Sequence, residues 1–155
     1  MTEMTGEPTI HASAVLVGAR AVLIRGPSGS GKSRLALGIL ELGLLGPVGG
    51  GFSRLVGDDR VHIEAVHGRL LVRPAEVLAG LIEVRGLGIL RKPYEPLAQV
   101  GLVVDLGAAD ADRMPAPSAR MVDLAGVMVQ RLPVAAGMEP LPLVLAVLSG
   151  TPQID

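Results

Sequence analysis

Residues Gly26, Pro27, Ser28, Gly29, Ser30, Gly31, Lys32 and Ser33 fit the pattern G-x-x-x-x-G-K-[ST]. Each type has a physical task at its place. Glycine permits positive φ and lets main-chain N–H groups close around an anion without a side chain in the way. A helix opening at Lys32 would add the positive end of its dipole. Lys32 then reaches the outer phosphates of a nucleotide, and the Ser33 hydroxyl stands where Mg²⁺ is normally held. Lysine is scarce in this chain, Lys32 and Lys92 being the whole supply. A Gly/Ser turn before a helix is the plainer reading, but an apolar strand before the loop and a helical pattern after it supply the context that a phosphate-binding loop requires.

Carboxylates are the second set of residues able to do chemistry. Asp58 and Asp59 follow the short apolar run Ser53–Gly57. Two adjacent acids repel each other unless a cation or hydrogen-bond donors share them. One would steer Mg²⁺ while the other takes a proton from an attacking hydroxyl, unless the pair is simply a solvated turn. Asp105 ends the run Leu102–Val104 in the manner of an ATPase strand carboxylate, a pattern common in any α/β domain. Glu83-Val-Arg85-Gly-Leu-Gly-Ile89 combines acid, base and two glycines; it suits either backbone approach to a charged ligand or a bulge with a surface ion pair. His11 lies near the start of the first strand, and a hairpin would carry it towards the loop. His62 and His67 read as ordinary surface residues, and no carboxylate/histidine cluster has the spacing of a transition-metal site.

The elements that must position these groups follow from apolar periodicity. Thr9–Val17 and Ala21–Ile24 read as a hairpin turned at Gly18-Ala19-Arg20. Leu35, Ile39, Leu42 and Leu45 recur at helical spacing over Lys32–Leu45, and Gly46, Pro47 and Gly49–Gly51 stop the helix. Arg60–Val66 and Arg69–Arg73 form a second hairpin around His67-Gly68. Pro74 opens a helical turn through Leu81. Leu102–Leu106 is a strand, Gly107–Pro117 an exposed loop, Val122–Leu132 either strand or helix, and Leu141–Leu148 a short helix. Residues 1–8 and 151–155 read as tails around one domain over 9–150. Many short strands and few long helices predict an α/β domain with a mixed sheet and hairpins.

Composition narrows the remaining options. The chain has 155 residues, 49% of them hydrophobic, with 14 Lys+Arg against 15 Asp+Glu. The balanced charge and the two aromatics, Phe52 and Tyr94, argue against a nucleic-acid partner. Without cysteine there is no disulfide frame, thiolate metal site or cysteine nucleophile, which fits a cytoplasmic protein. Leu132–Gly150 is the longest apolar stretch, but Pro133, Glu139, Pro140 and Pro142 interrupt it, so no membrane span is expected. Residues 1–8 lack the basic start and apolar core of a signal peptide.

Taken in order, His11, GPSGSGKS, LVGDDRV at Leu55–Val61 and EVRGLGIL at Glu83–Leu90 resemble the catalytic domain of the HPr kinase/phosphorylase family. The likeness runs from about Thr9 to Leu148. In that family the signature reads like E-I-R-G-L-G-I and the acidic pair like L-V-A-D-D. The resemblance implies a P-loop kinase domain of phosphoenolpyruvate-carboxykinase-like architecture, using ATP and Mg²⁺ to phosphorylate a serine of the phosphocarrier protein HPr. It also implies a homo-oligomer, typically a hexamer. Carried over by motif, Lys32 binds phosphate and His11 is the active-site histidine. Asp59, beside Asp58, is the base, Ser33 and Glu83 hold Mg²⁺, and Arg85 belongs to the catalytic signature.

This sequence departs from the family pattern at several places. Family members usually carry a separate N-terminal domain, and the C-terminal helix that meets HPr is here cut short after Gly150. The family's catalytic arginine after the signature has no clear counterpart, with Arg91 and Lys92 as the available cations. A segment that reads like P-V-K-V-G-R in relatives is Pro133-Val-Ala-Ala-Gly-Met138 here, which predicts weak or absent phosphorolysis of phosphoserine-HPr. Two other readings stand beside the carrier kinase: a P-loop kinase or ATPase acting on another substrate, and a non-catalytic ATP-sensing module.

Overall fold

A computed structural model describes residues 8–45 and 52–150. The tails expected at the two ends and the helix stop at Gly46–Gly51 lie outside those residues, apart from Pro8, whose carbonyl accepts a hydrogen bond from His62 Nδ1 at 2.8 Å. The strands are β1 (Ile10–Val17), β2 (Arg20–Arg25), β3 (Ser53–Gly57), β4 (Arg60–Val66), β5 (Arg69–Pro74), β6 (Leu81–Val84), β7 (Gly88–Arg91), β8 (Ala98–Leu106), β9 (Met121–Leu124) and β10 (Val127–Val134). The helices are α1 (Lys32–Leu45) and α2 (Pro140–Ser149).

Eight strands form one mixed sheet in the order β2-β1-β4-β5-β8-β10-β9, with β3 on β1; β6 and β7 form a separate two-stranded sheet. Because β2 also pairs with β8, the hydrogen-bonded neighbours β1, β4, β5, β8 and β2 close a circuit. β1 and β2 are antiparallel, whereas β2, β8 and β10 run parallel, so their carboxyl ends open on one side.

Alternation along the strands divides the apolar residues between two faces, as a pleat of period two requires. Val15, Val22, Ile24, Leu102 and Val104 pack under Leu35 and Ile39 of α1 and Val144 of α2. Ala14, Leu23, Val61, Val72 and Val103 fill the opposite side. Fully burying such a side chain is worth about 1.5–3 kcal/mol, so the strands entering the site are anchored on both faces.

One expectation needs correction, and two segments that the sequence left open take a definite form. Pro74 ends β5 instead of opening a helix, and only Glu76–Leu78 coil into a single tight turn. The segment 122–132, open between helix and strand, is the hairpin β9–β10, turned at Ala125 (φ 53°) and Gly126 (φ 86°). The signature segment is neither a bulge nor an ion pair: Glu83 faces Ile89 across the β6–β7 hairpin, closed by Leu87 N–H donating to Val84 C=O at 2.9 Å.

Candidate active site

β2 delivers the chain to Gly26 and α1 takes it up at Lys32. Inside the loop Ser30 N–H donates to Pro27 C=O at 3.0 Å, and Leu35 N–H donates to Gly31 C=O at 2.9 Å. The turn thus runs directly into the first helical hydrogen bond, with the helix N-terminus aimed at the loop. Gly29 and Gly31 have φ of 81° and 99°, conformations that L side chains rarely adopt. Gly26 is constrained by space instead: a Cβ there would lie 2.6 Å from Ser30 Oγ and 3.0 Å from Leu106 Cβ. Lys32 is only 7% exposed, and its Nζ spans the loop by donating to the carbonyls of Gly26 (2.9 Å) and Pro27 (3.1 Å). Ser30 Oγ is buried without a hydrogen-bond partner. A hydroxyl left spare on a loop of this kind suits a phosphate oxygen.

The acid pair interrupts one long ladder along β1. Ala14 faces Gly57 on β3, and His11 faces Arg60 on β4, so Ser13 and Ala12 stand opposite Asp58 and Asp59. Asp58, 4% exposed, accepts from Ser13 Oγ (2.6 Å), from Ser33 Oγ (2.7 and 2.9 Å to its two oxygens) and from Glu83 N–H (3.2 Å). An extended Asp59 would send its side chain to the opposite face. Its φ of 71° breaks that alternation, and Asp59 Oδ1 lies 2.9 Å from His11 Nε2. An ionised carboxylate only accepts, so the histidine nitrogen donates. Left-handed backbone at a non-glycine residue costs on the order of 1–2 kcal/mol, held here by the Ala12 N–H to Asp59 C=O bond at 3.1 Å.

These groups line one cleft of about 660 Å³: the loop from Ser28 to Ser33, His11, Asp59, Glu83 and Arg85, with Arg34 at its rim. Asp58 lies beneath, bonded to Ser33. Gly26 and Pro27 form the back of the loop, where Lys32 holds their carbonyls. Among the described residues no group of three His, Cys, Asp or Glu side chains could hold a metal alone. Mg²⁺ in general takes one or two carboxylates and completes its shell with water and substrate phosphates. Ser33 Oγ, Asp58 and Glu83 are hard oxygen donors of that kind. The arrangement can neutralise a polyphosphate, hold a divalent ion and receive a proton at Asp59.

Other candidates fall elsewhere. Asp105 is not in the cleft: it accepts from Arg25 (Nε 2.7 Å, Nη2 2.8 Å) and Arg131 (Nε 2.6 Å). Arg131 also reaches Asp110 at 2.8 Å. Burial pushes the Asp105 carboxyl up, but hydrogen bonds and charge from the two arginines outweigh it and hold it below its ordinary value. Arg91 and Lys92 do not line the cleft. Arg34 does, and the sequence reading passed over it although it follows Ser33 directly. It also missed Ser13, whose signal was its place two residues from His11 on the same strand face.

The sequence matches the model of the HPr Serine kinase C-terminal domain family over residues 2–146. Among curated proteins, the HPr kinase/phosphorylase of Clostridium beijerinckii is 38% identical over 88 residues, 57% of this chain and 26% of that one. That of Clostridium tetani is 37% identical over 91 residues (59% and 27%), and that of Streptococcus thermophilus 38% over 90 (57% and 26%). The chain therefore spans about a quarter of the length of these relatives. The solved structure of the HPr(Ser) kinase/phosphatase from Coxiella burnetii has the same fold, with a TM-score of 0.70 at 24% identity over 92% of this chain and 93% of that one.

Proposed function

The chain belongs to the HPr Serine kinase C-terminal domain family, and on that premise we propose that it is a Mg-ATP-dependent kinase of a serine on an HPr-like phosphocarrier protein, acting in the cytoplasm as a homo-oligomer. The observation that carries this reading is the Asp59 carboxylate, fixed by His11 at 2.9 Å in the cleft that Lys32, Ser33 and the loop also line.

In the forward direction the carrier's serine oxygen attacks the terminal phosphorus of ATP. The new O–P bond forms as the bond to the bridging oxygen breaks, and ADP leaves. Asp59 receives the serine proton at the oxygen that His11 does not occupy. Loop N–H groups and Lys32 take up charge on the phosphoryl oxygens, the dominant requirement of a loose transition state. Arg85 and Arg34 add positive charge at the mouth. Ser33 and Glu83, with Asp58 behind Ser33, would hold Mg²⁺, which when bound neutralises charge between the outer phosphates. Ser13 is a positioning residue, keeping Asp58 turned to Ser33.

The test is incubation with HPr, ATP and Mg²⁺, followed by mass spectrometry of the carrier and then by addition of inorganic phosphate. One phosphoryl group on a serine, only slowly removed by phosphate, is expected. ATP turnover with no modified carrier would favour another substrate, and binding without turnover an ATP sensor.

A further inference from the structure

The cleft that holds Asp59 is poor in positive charge. Asp58, Asp59 and Glu83 bring carboxylates to it, Asp58 from beneath, and among the described residues Lys32 and Arg85 are the cations set against them besides Arg34. Lys32 is already engaged, donating to the carbonyls of Gly26 and Pro27. Arg91 and Lys92 do not line the cleft. A nucleotide polyphosphate adds more negative charge, so a phosphoryl transfer here depends on every further cation that can reach it.

Arg34 stands where its own helix does not favour it. It is the third residue of α1, in a first turn that contains no acid. A cation there meets the positive end of the helix dipole, an unfavourable placement that a bound anion would relieve. The side chain lines the cleft and is 80% exposed, and Nη2 donates to Glu139 Oε2 at 3.1 Å. Glu139 is itself 55% exposed, and a pair screened by water on both sides holds weakly. Glu139 also directly precedes α2, whose N-terminus stabilises a negative charge without Arg34. Leaving Glu139 therefore costs Arg34 little, and an anion in the cleft offers its planar fork two oxygens at once.

We propose that Arg34 is a catalytic residue that rests on Glu139 and turns to the transferring phosphoryl group, donating to its non-bridging oxygens as the bond to ADP breaks. The inference rests on the kinase reading above and adds to it the contact made and the resting partner. Ser33 and Arg34 are adjacent and about 100° apart around the helix, so the hydroxyl and the guanidinium approach one phosphate tail from two sides. A loose transition state spreads charge over the three equatorial oxygens, where an arginine is worth about 10³–10⁵ in rate when fully pre-placed. An arginine that must first leave another partner should supply less, about 10²–10³, the range of a single transition-state donor.

Single-turnover transfer to HPr at saturating Mg-ATP, with calorimetric Mg-ATP affinity and Tm, tests this on the whole chain and three variants. Arg34→Ala should transfer about 10²–10³-fold more slowly, with affinity within about threefold of wild type and Tm nearly unchanged. Added guanidinium ion, below denaturing concentration, should restore part of that rate. Arg34→Lys, which keeps the charge and loses the fork, should fall between. Glu139→Gln frees the arginine and should transfer at the wild-type rate or up to about threefold faster. Equal losses in Arg34→Ala and Glu139→Gln would make the pair a tie between α1 and α2 and overturn the assignment. So would an Arg34→Ala rate equal to wild type, or an affinity loss as large as the rate loss. Each of these results leaves the kinase reading standing, since the wild-type chain still modifies the carrier. A wild-type chain that transfers nothing to HPr would remove that reading and the role of Arg34 together.

Discussion

Replacing Asp105 by Ala should destabilise the fold and spare the site. Asp105 accepts hydrogen bonds from Arg25 and Arg131, whose side chains are 30% and 14% exposed. Removing one partner of a buried ion pair costs about 3–5 kcal/mol, because a charge is left without its counter-ion. Two features lower that figure: Arg131 keeps Asp110 and the carbonyl of Ala119, and Arg25 remains open to water. We expect a loss of about 2–3 kcal/mol, or about 5–10 °C in Tm for a chain of this length. The acid limb gives an independent readout. The Asp105 carboxyl titrates below its ordinary value in the folded state. The unfolded state therefore binds its proton first, so this contribution is complete above about pH 4 and disappears as pH falls through the lower folded value. Urea unfolding across that range should show wild type and Asp105→Ala far apart at neutral pH and converging in acid. Mg-ATP affinity of the folded variant should change by no more than about threefold. Unchanged stability together with abolished Mg-ATP binding would refute this reasoning and make Asp105 the metal carboxylate of an ordinary ATPase.

Further outcomes follow from the loop and from the acids around it. Gly26→Ala must displace Ser30 or the backbone of Leu106, and calorimetry should show Mg-ATP affinity falling by about tenfold or more with a Tm loss of a few degrees. Ser13→Ala removes one donor from buried Asp58; urea unfolding should report about 1–2 kcal/mol. Steady-state kinetics should show the Mg²⁺ requirement of that variant rising while saturating Mg²⁺ restores turnover. Glu83→Gln should likewise raise the Mg²⁺ concentration needed for half-maximal phosphotransfer, and a variant indifferent to Mg²⁺ would exclude Glu83 from holding the ion.

The legible parts of this fold are those set by local chemistry. The loop from Gly26 to Ser33 demands its residue types whatever surrounds it, and Leu35 and Ile39 announce α1 by spacing. Val122–Leu132 was ambiguous because its hairpin turns on Ala125-Gly126, with alanine in a conformation that turn residues such as asparagine usually occupy. β8 begins at Ala98, earlier than the apolar run at Leu102, since Gly101 and Gln99 break the pattern before the strand ends. The link from Ser13 to Asp58 spans 45 positions and the ion pairs of Asp105 reach 80 and 26, so they exist only once strand order is fixed. Periodicity carries faces and lengths, but not which strands become neighbours.

A single-turnover rate of phosphoryl transfer to HPr by wild type and Asp59→Asn, at saturating Mg-ATP, tests the central claim most directly. The amide preserves the shape beside His11 but cannot take the serine proton. The rate should fall about 10²–10⁴-fold while Mg-ATP affinity stays within about threefold. Transfer at the wild-type rate by Asp59→Asn would contradict the account, because the carboxylate facing the loop would then have no part in the reaction.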